Sequence, residues 1–377
     1  MATSLKVGKL FGIPLHLHWT LLLIVGWVLY DGYLTGYGMR WDRVGWVGGV
    51  IILLFGFVLV HELGHALTAR AFGKPTEKIL LFPLGGGAYI REQPTKIWQE
   101  ILVYFGGPMA NVLLALLVLP VLIQDPDRWL LLRYYFVPNA NAVFSSYWWE
   151  DLLCITVGVN AVLAVLNLLP AYPLDGGRIL QALLRGPFGT RAATLIVSIL
   201  GLIAGLGFGL LAWQLNDPVM GAGAIFVAGL AGMEINNGWQ RRRLKKYIVA
   251  DLARASIAER LYRDDSLAFA EKQFSRTGWP VLPVYNKWND VVGFLPAEVC
   301  STATNKNGSD LITDEFEPRF TSCNMEDNLL NATIRIIEAD CYGALIFEKR
   351  QTVGFLLMDD IMKLLENRFK PQSNAFR

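Results

Sequence analysis

His61 and His65 stand four residues apart, with Glu62 directly after the first, in the string His61-Glu62-Leu63-Gly64-His65. On a helix this spacing puts both imidazoles on one face, one turn apart, where they can reach a single zinc ion. Glu62 is placed to take the proton of a water that the metal activates, as an HExxH zinc hydrolase requires. The string lies in a long apolar stretch, where a carboxylate and two imidazoles are costly unless paired, metal-bound or facing water. The chain has only four histidines, and two of them are here. The bland alternative is a histidine pair satisfied by neighbouring helices.

A catalytic zinc site usually takes a third ligand from the protein. The best candidate is Asp175, in the segment NLLPAYPLDGGR (167–178). Two prolines and two glycines break the helix there at membrane depth, which is tolerated only where protein shields the backbone or a wet cavity adjoins it. A carboxylate beside Gly176 and Gly177 can approach a metal closely. The alternative is an ordinary turn between spans. Asn167, eight residues earlier, can polarise a scissile carbonyl or steady an oxyanion; otherwise it only bonds between helices, as Asn160 is expected to do.

The elements that must hold these residues are membrane helices. Of 377 residues, 53% are hydrophobic and 18% charged, with a mean hydropathy of +0.37, whereas soluble domains average about 25% charged. This excludes disorder, collagen and coiled coil. A net charge of +2 excludes a chain-wide nucleic-acid binder, so no nucleic-acid partner is expected. The average hides a split: residues 1–246 carry 19 Lys+Arg against 13 Asp+Glu, and the remainder 15 against 19. A membrane domain followed by a soluble one is expected. Cys154, Cys300, Cys323 and Cys341 form no CxxC pair and fit a reducing compartment.

A helical span needs roughly 20 apolar residues. Six stretches are candidates: 17–36, 45–70, 101–124, 152–169, 192–215 and 218–238. The first is read as a retained anchor. With the N-terminus inside, most Lys and Arg, including Lys6, Lys9, Arg70, Lys74 and the RRRLKK run at 241–246, fall on the inner side. Arg40, Arg43, Arg128 and Arg133 fall outside. Both termini are then cytoplasmic. Gly201, Gly205 and Gly209 form a small-residue row suited to helix packing inside the bundle. Trp27, Trp41, Trp46, Trp129, Trp148 and Trp149 lie near span ends as interfacial anchors.

HELGH in an early span with NLLPAYPLDGG in a later one resembles the site-2 protease family of intramembrane zinc metalloproteases. GIPLHLHWT (12–20), FPLGGGAYI (82–90) and GGPMAN (106–111) add to the likeness, which is close over about residues 8–185. The resemblance implies one zinc ion held by His61, His65 and Asp175, with Glu62 as catalytic base and Asn167 contacting substrate or oxyanion. The runs around Gly85, Gly86 and Gly87 read as β-structure, and 79–90 is expected to offer an extended peptide a strand edge. The alternative there is a hairpin that only caps the bundle. His16 and His18 are read as interfacial hydrogen-bonding residues.

After Lys246 the pattern changes to short helices and strands. Val292-Gly293-Phe294-Leu295 recurs as Val353-Gly354-Phe355-Leu356, each copy following a β-rich run and a helical segment (266–275 and 326–338). Two such units resemble a tandem cystathionine-β-synthase-type (CBS) pair. The organisation is therefore 1–240 membrane protease, 241–249 basic linker and 250–370 CBS-like regulatory domain. CBS pairs often bind adenine nucleotides through a Thr and an Asp after this Gly. Copy two has Asp360 but Leu357 in the Thr position, and copy one has Pro296 and Val299 at the corresponding places. A dimerising or substrate-gating module without nucleotide is an equal reading.

The fold class expected is a multi-pass α-helical membrane protein of about six spans with a small β element, plus a cytoplasmic α/β tandem CBS domain. The function expected is intramembrane zinc endopeptidase. It would act on a single-span membrane protein such as a membrane-tethered regulator, in the bacterial inner membrane, with a homodimer formed through the CBS domain. Two rivals are a transporter or channel gated by a CBS domain, and a catalytically inactive homologue that binds membrane proteins.

Overall fold

A computed structural model describes residues 4–33, 39–83, 85–92, 94–128, 148–255, 260–304, 312, 319–348 and 351–366. Trp129, expected as an interfacial anchor, and Arg133, expected in an outer loop, lie outside the described residues. The chain divides into two compact units, Met1–Ile235 and Asn236–Arg377.

The first unit is built on helices α1 (Leu21–Tyr33), α2 (Trp41–Ala71), α3 (Ile97–Ile123), α4 (Trp148–Asn167), α5 (Asp175–Leu215) and α6 (from Pro218). Among the described residues, α2, α3, α4 and α5 are long and apolar enough to cross a membrane. The chain is an integral membrane protein. The first expected span is a shorter helix than the sequence suggests. Residues 17 and 18 belong to a strand, and the side chains of His18 and Thr20 are hydrogen-bonded at 2.7 Å in the turn before α1. That leaves 13 helical residues. The sixth expected stretch lies within α6, which ends at Leu244 and carries Arg241, Arg242 and Arg243 in its last turn, where cations suit the helix dipole.

α5 is two helices joined at a kink. Gly189 has φ 76° and ψ 160°, a conformation that glycine adopts without a side-chain clash. The Gly201/Gly205 row packs inside the bundle as expected: β-carbons built there would lie 3.0 Å from Ala231 Cβ and 2.8 Å from Ala228 Cβ of α6. α2 and α3 cross equally closely at Gly64 and Gly106, where any side chain would strike the facing backbone.

A four-stranded sheet, in the order β1 (Ser4–Leu10), β2 (Ile13–His18), β3 (Thr76–Phe82), β4 (Gly85–Ile90), accompanies the helices. β2 and β3 are parallel; the outer pairs are antiparallel. Ile13, Ile79 and Leu81 pack with Leu63 and Ala66 of α2 in one buried cluster. The sheet is thereby seated on the helix that carries the HExxH string, and β4 is one of its two edge strands.

The second unit is the repeat expected from the sequence. Copy one runs β6 (Leu261–Tyr262), α7 (Leu267–Thr277), β7 (Val281–Tyr285), β8 (Val291–Pro296), α8 (Ala297–Thr304). Copy two runs β9 (Thr321–Asn324), α9 (Leu329–Glu338), β10 (Gly343–Glu348), β11 (Gln351–Leu357), α10 (Met358–Leu365), with β5 (Arg254–Ala255) paired to β11. In each copy a first strand is parallel to a second that pairs antiparallel with a third. Ser266 and Asn328 cap α7 and α9 through their side chains, the use to which short polar residues are suited. Phe294 and Phe355, at matching positions of the repeat, meet edge to face at 6.2 Å in the cluster that joins the two copies.

Candidate metal centre

α2 brings His61, Glu62 and His65 to one buried level of the membrane unit. α5 brings Asp175 as its first helical residue, following Leu174 in extended conformation. His61 Nε2 lies 3.0 Å and His65 Nε2 3.3 Å from Asp175 Oδ2, and the two Nε2 atoms are 3.1 Å apart. The three residues thus form a group able to hold a metal ion, and His16 and His18 take no part in it.

The other nitrogen of each ring is also engaged. His61 Nδ1 is 2.6 Å from Asn111 Oδ1, and His65 Nδ1 is 2.7 Å from the Val103 carbonyl. Each ring donates there and presents its Nε2 lone pair to the shared centre, the tautomer that metal ligation needs. Two nitrogens and one carboxylate oxygen form a donor set suited to zinc, and three protein ligands leave a position for water or substrate. Gly107 of α3 makes the room: a β-carbon there would collide with His65 Nε2 and lie 2.7 Å from His61 Nε2.

The glycines of the LDGG string are packing residues. A β-carbon on Gly176 would strike the carbonyl of Leu168, and one on Gly177 would lie 2.5 Å from the Ala171 carbonyl. The segment between α4 and α5 therefore folds tightly over the first turn of α5. It is anchored by the Tyr172 N–H donating to the Val197 carbonyl at 3.1 Å. This broken stretch is what carries Asp175 to the histidines, the first of which is 114 residues away in sequence.

Of the other expected site residues, Gly85, Gly86 and Gly87 lie on β4, opposite Phe82, Leu81 and Leu80 of β3. Gly86 packs directly against Glu62. Asn167 is not brought to the metal group; its amide donates to the Leu163 carbonyl of its own helix at 3.0 Å. Asn111 escaped notice as a single residue, although a buried amide inside an apolar span is itself a signal. Asn160 does bond between helices, to Asn111 at 2.6 Å.

In the second unit, Asp360 is fully engaged. Its two oxygens accept from Arg254 Nε and Nη2 at 2.6 and 2.5 Å, and the Arg254 guanidinium stacks on Trp279 at 4.7 Å.

A His-His-Asp centre flanked by a buried glutamate and carried by membrane-length helices has the ligand set and the base of an HExxH zinc hydrolase. Residues 49–212, which hold all four of these residues, match the model of peptidase family M50. A zinc metalloprotease of Methanocaldococcus jannaschii is 31% identical over 201 residues, 53% of this chain and 51% of that protein. The chain thus spans about half the length of that curated relative. A Synechocystis sp. protein that bears a zinc metalloprotease name is 24% identical over 97% of this chain and 96% of its own. Among solved structures, the site-2 protease from Methanocaldococcus jannaschii is similar, with 29% identity, a TM-score of 0.45, and coverage of 61% of this chain and 94% of that one. A CBS-domain hemolysin-like protein of Oenococcus oeni is 12% identical with a TM-score of 0.30, over 34% of this chain and 96% of that one.

Proposed function

We propose that this chain is an intramembrane zinc endopeptidase that cuts a peptide bond within or near the transmembrane segment of a single-span membrane protein. The observation that carries the reading is the convergence of His61 Nε2, His65 Nε2 and Asp175 Oδ2 beside Glu62, inside apolar helices. His61, His65 and Asp175 would hold the zinc, which supplies Lewis-acid polarisation of water and carbonyl. Glu62 takes the proton of the attacking water, stores it in a water-poor site, and delivers it to the leaving amine. The outer edge of β4, beginning at Gly85–Gly87, holds the unwound substrate as an added strand and presents it to Glu62. Asn167 contacts substrate in this scheme only by releasing the Leu163 carbonyl.

The Lys and Arg distribution supports an orientation with both termini in the cytoplasm of a bacterial cell, so that cutting frees a cytoplasmic fragment, as in regulated intramembrane proteolysis. The second unit serves as a dimerising or gating module. The pairing of Asp360 with Arg254 favours this over adenine-nucleotide binding at that position.

The test uses purified protein in detergent or liposomes with a single-span substrate. Wild type should cleave and contain about one zinc per chain. Glu62→Gln should keep the zinc and lose cleavage, and His65→Ala should lose both. Cleavage by Glu62→Gln at the wild-type rate removes the mechanism.

A further inference from the structure

Asn111 of α3 and Asn160 of α4 are both fully buried in the membrane unit. A primary amide in such surroundings is costly unless its oxygen and its NH2 both find partners. Both amides do, in one continuous chain. Asn160 Nδ2 donates to the Thr156 carbonyl at 2.8 Å. Asn111 Nδ2 donates to Asn160 Oδ1 at 2.6 Å and to the Phe57 carbonyl at 3.4 Å. Asn111 Oδ1 lies 2.6 Å from His61 Nδ1.

The direction of this chain is dictated from its far end. A backbone carbonyl only accepts, so Asn160 must turn its NH2 to Thr156 and its oxygen to Asn111. Asn111 must then offer NH2 to Asn160, which leaves its oxygen facing His61. An oxygen facing Nδ1 demands that Nδ1 carry the hydrogen, and Nε2 is left with the lone pair. Reversing either amide would set two acceptors or two donors against each other in an apolar interior. His65 needs no such device, because its Nδ1 faces the Val103 backbone carbonyl directly.

We infer that Asn111 and Asn160 are positioning residues: a relay that sets the tautomer and orientation of His61 from the backbone of α4 and thereby tunes the affinity of the metal centre. α4 also leads into the segment that carries Asp175, so one helix governs two of the three ligands. The inference rests on the proposed metal site and extends it to residues that touch neither metal nor substrate.

Zinc affinity, measured by chelator competition on the full chain in detergent, tests the relay independently of cleavage. Asn111→Leu should weaken zinc binding about 10–100-fold, as loss of an outer partner of a ligating histidine does. Asn160→Leu should give a smaller loss. The double variant should be no weaker than Asn111→Leu alone, because a relay broken next to His61 gains nothing from a second break. Additive losses, or an Asn111→Leu variant that binds like wild type, overturn the relay. Should Asn111→Leu fail to fold, nitrogen-15 NMR of histidine-labelled metal-free wild type decides: Nδ1–H on His61 supports the relay and Nε2–H overturns it. A chain that binds zinc with this pattern yet never cleaves would refute the peptidase reading while leaving the relay standing.

Discussion

Gly86 of β4 lies against Glu62 of α2 so closely that a β-carbon on the glycine would sit 2.9 Å from Glu62 Cγ, and 3.0 Å from Leu81 and Val58 side-chain atoms. The edge strand and the expected base are therefore one assembly. Gly86→Ala must push the Glu62 side chain aside, and misplacing a catalytic group by about 1 Å can cost on the order of 10²-fold in rate. A fall of that size in kcat, with zinc content unchanged, is expected from steady-state cleavage assays. Unchanged kcat would mean that β4 yields and Glu62 does not depend on it.

Gly107 makes the complementary prediction for the metal. Its missing side chain is the space in front of His61 Nε2 and His65 Nε2. Gly107→Ala should depress zinc content measured by atomic absorption, with affinity lowered at least about tenfold, the scale seen when a histidine ligand loses its support. Full occupancy in this variant would show that α3 can move away from α2.

Glu100 at the start of α3 is buried and forms a two-pronged pair with Arg185 of α5 at 2.9 and 3.0 Å. This pair ties the half-helix that begins at Asp175 to the helix that supports both histidines. Glu100→Gln should lower stability by about 1–2 kcal/mol, a charged hydrogen bond discounted for the partly exposed arginine. The charge-swapped pair, Glu100→Arg with Arg185→Glu, should recover part of it in thermal melts in detergent. A Glu100→Gln protein that melts like wild type would show the pair to be dispensable.

In the second unit, burial pushes the Cys323 thiol up to about 12. At pH 8 only about one molecule in 10⁴ carries the thiolate by that value, so alkylation of Cys323 should report opening of the unit. Asp360→Asn strips the Arg254 guanidinium of its charged partner, and breaking a buried pair costs about 3 kcal/mol. Labelling of Cys323, followed by mass spectrometry, should accelerate about 10²-fold if opening limits it. An unchanged rate would place the Arg254–Asp360 pair outside the cooperative core.

Several features were legible in the amino-acid order because they are local or compositional. His61, Glu62 and His65 are set by helical period, the spans by the demand of lipid for apolar surface, and the second unit by an internal repeat that ends with Phe294 and Phe355 face to edge. Even Asp175 was readable, because prolines and glycines at membrane depth require a reason. The first span was overestimated, since hydropathy alone does not register that residues 17 and 18 pair into a strand.

Tertiary structure alone decided the rest. It placed Asp175 on the two histidines, gave Gly107 and Gly86 their meaning as absent side chains, turned Asn167 back on its own helix, and committed Asp360 to Arg254. It also joined Asn111 and Asn160 to His61, a link between residues 49 and 50 positions apart. Such contacts depend on how closely helices approach, here through Gly64 and Gly106. Periodicity records which face of a helix is apolar, but not which partner that face will meet or at what distance.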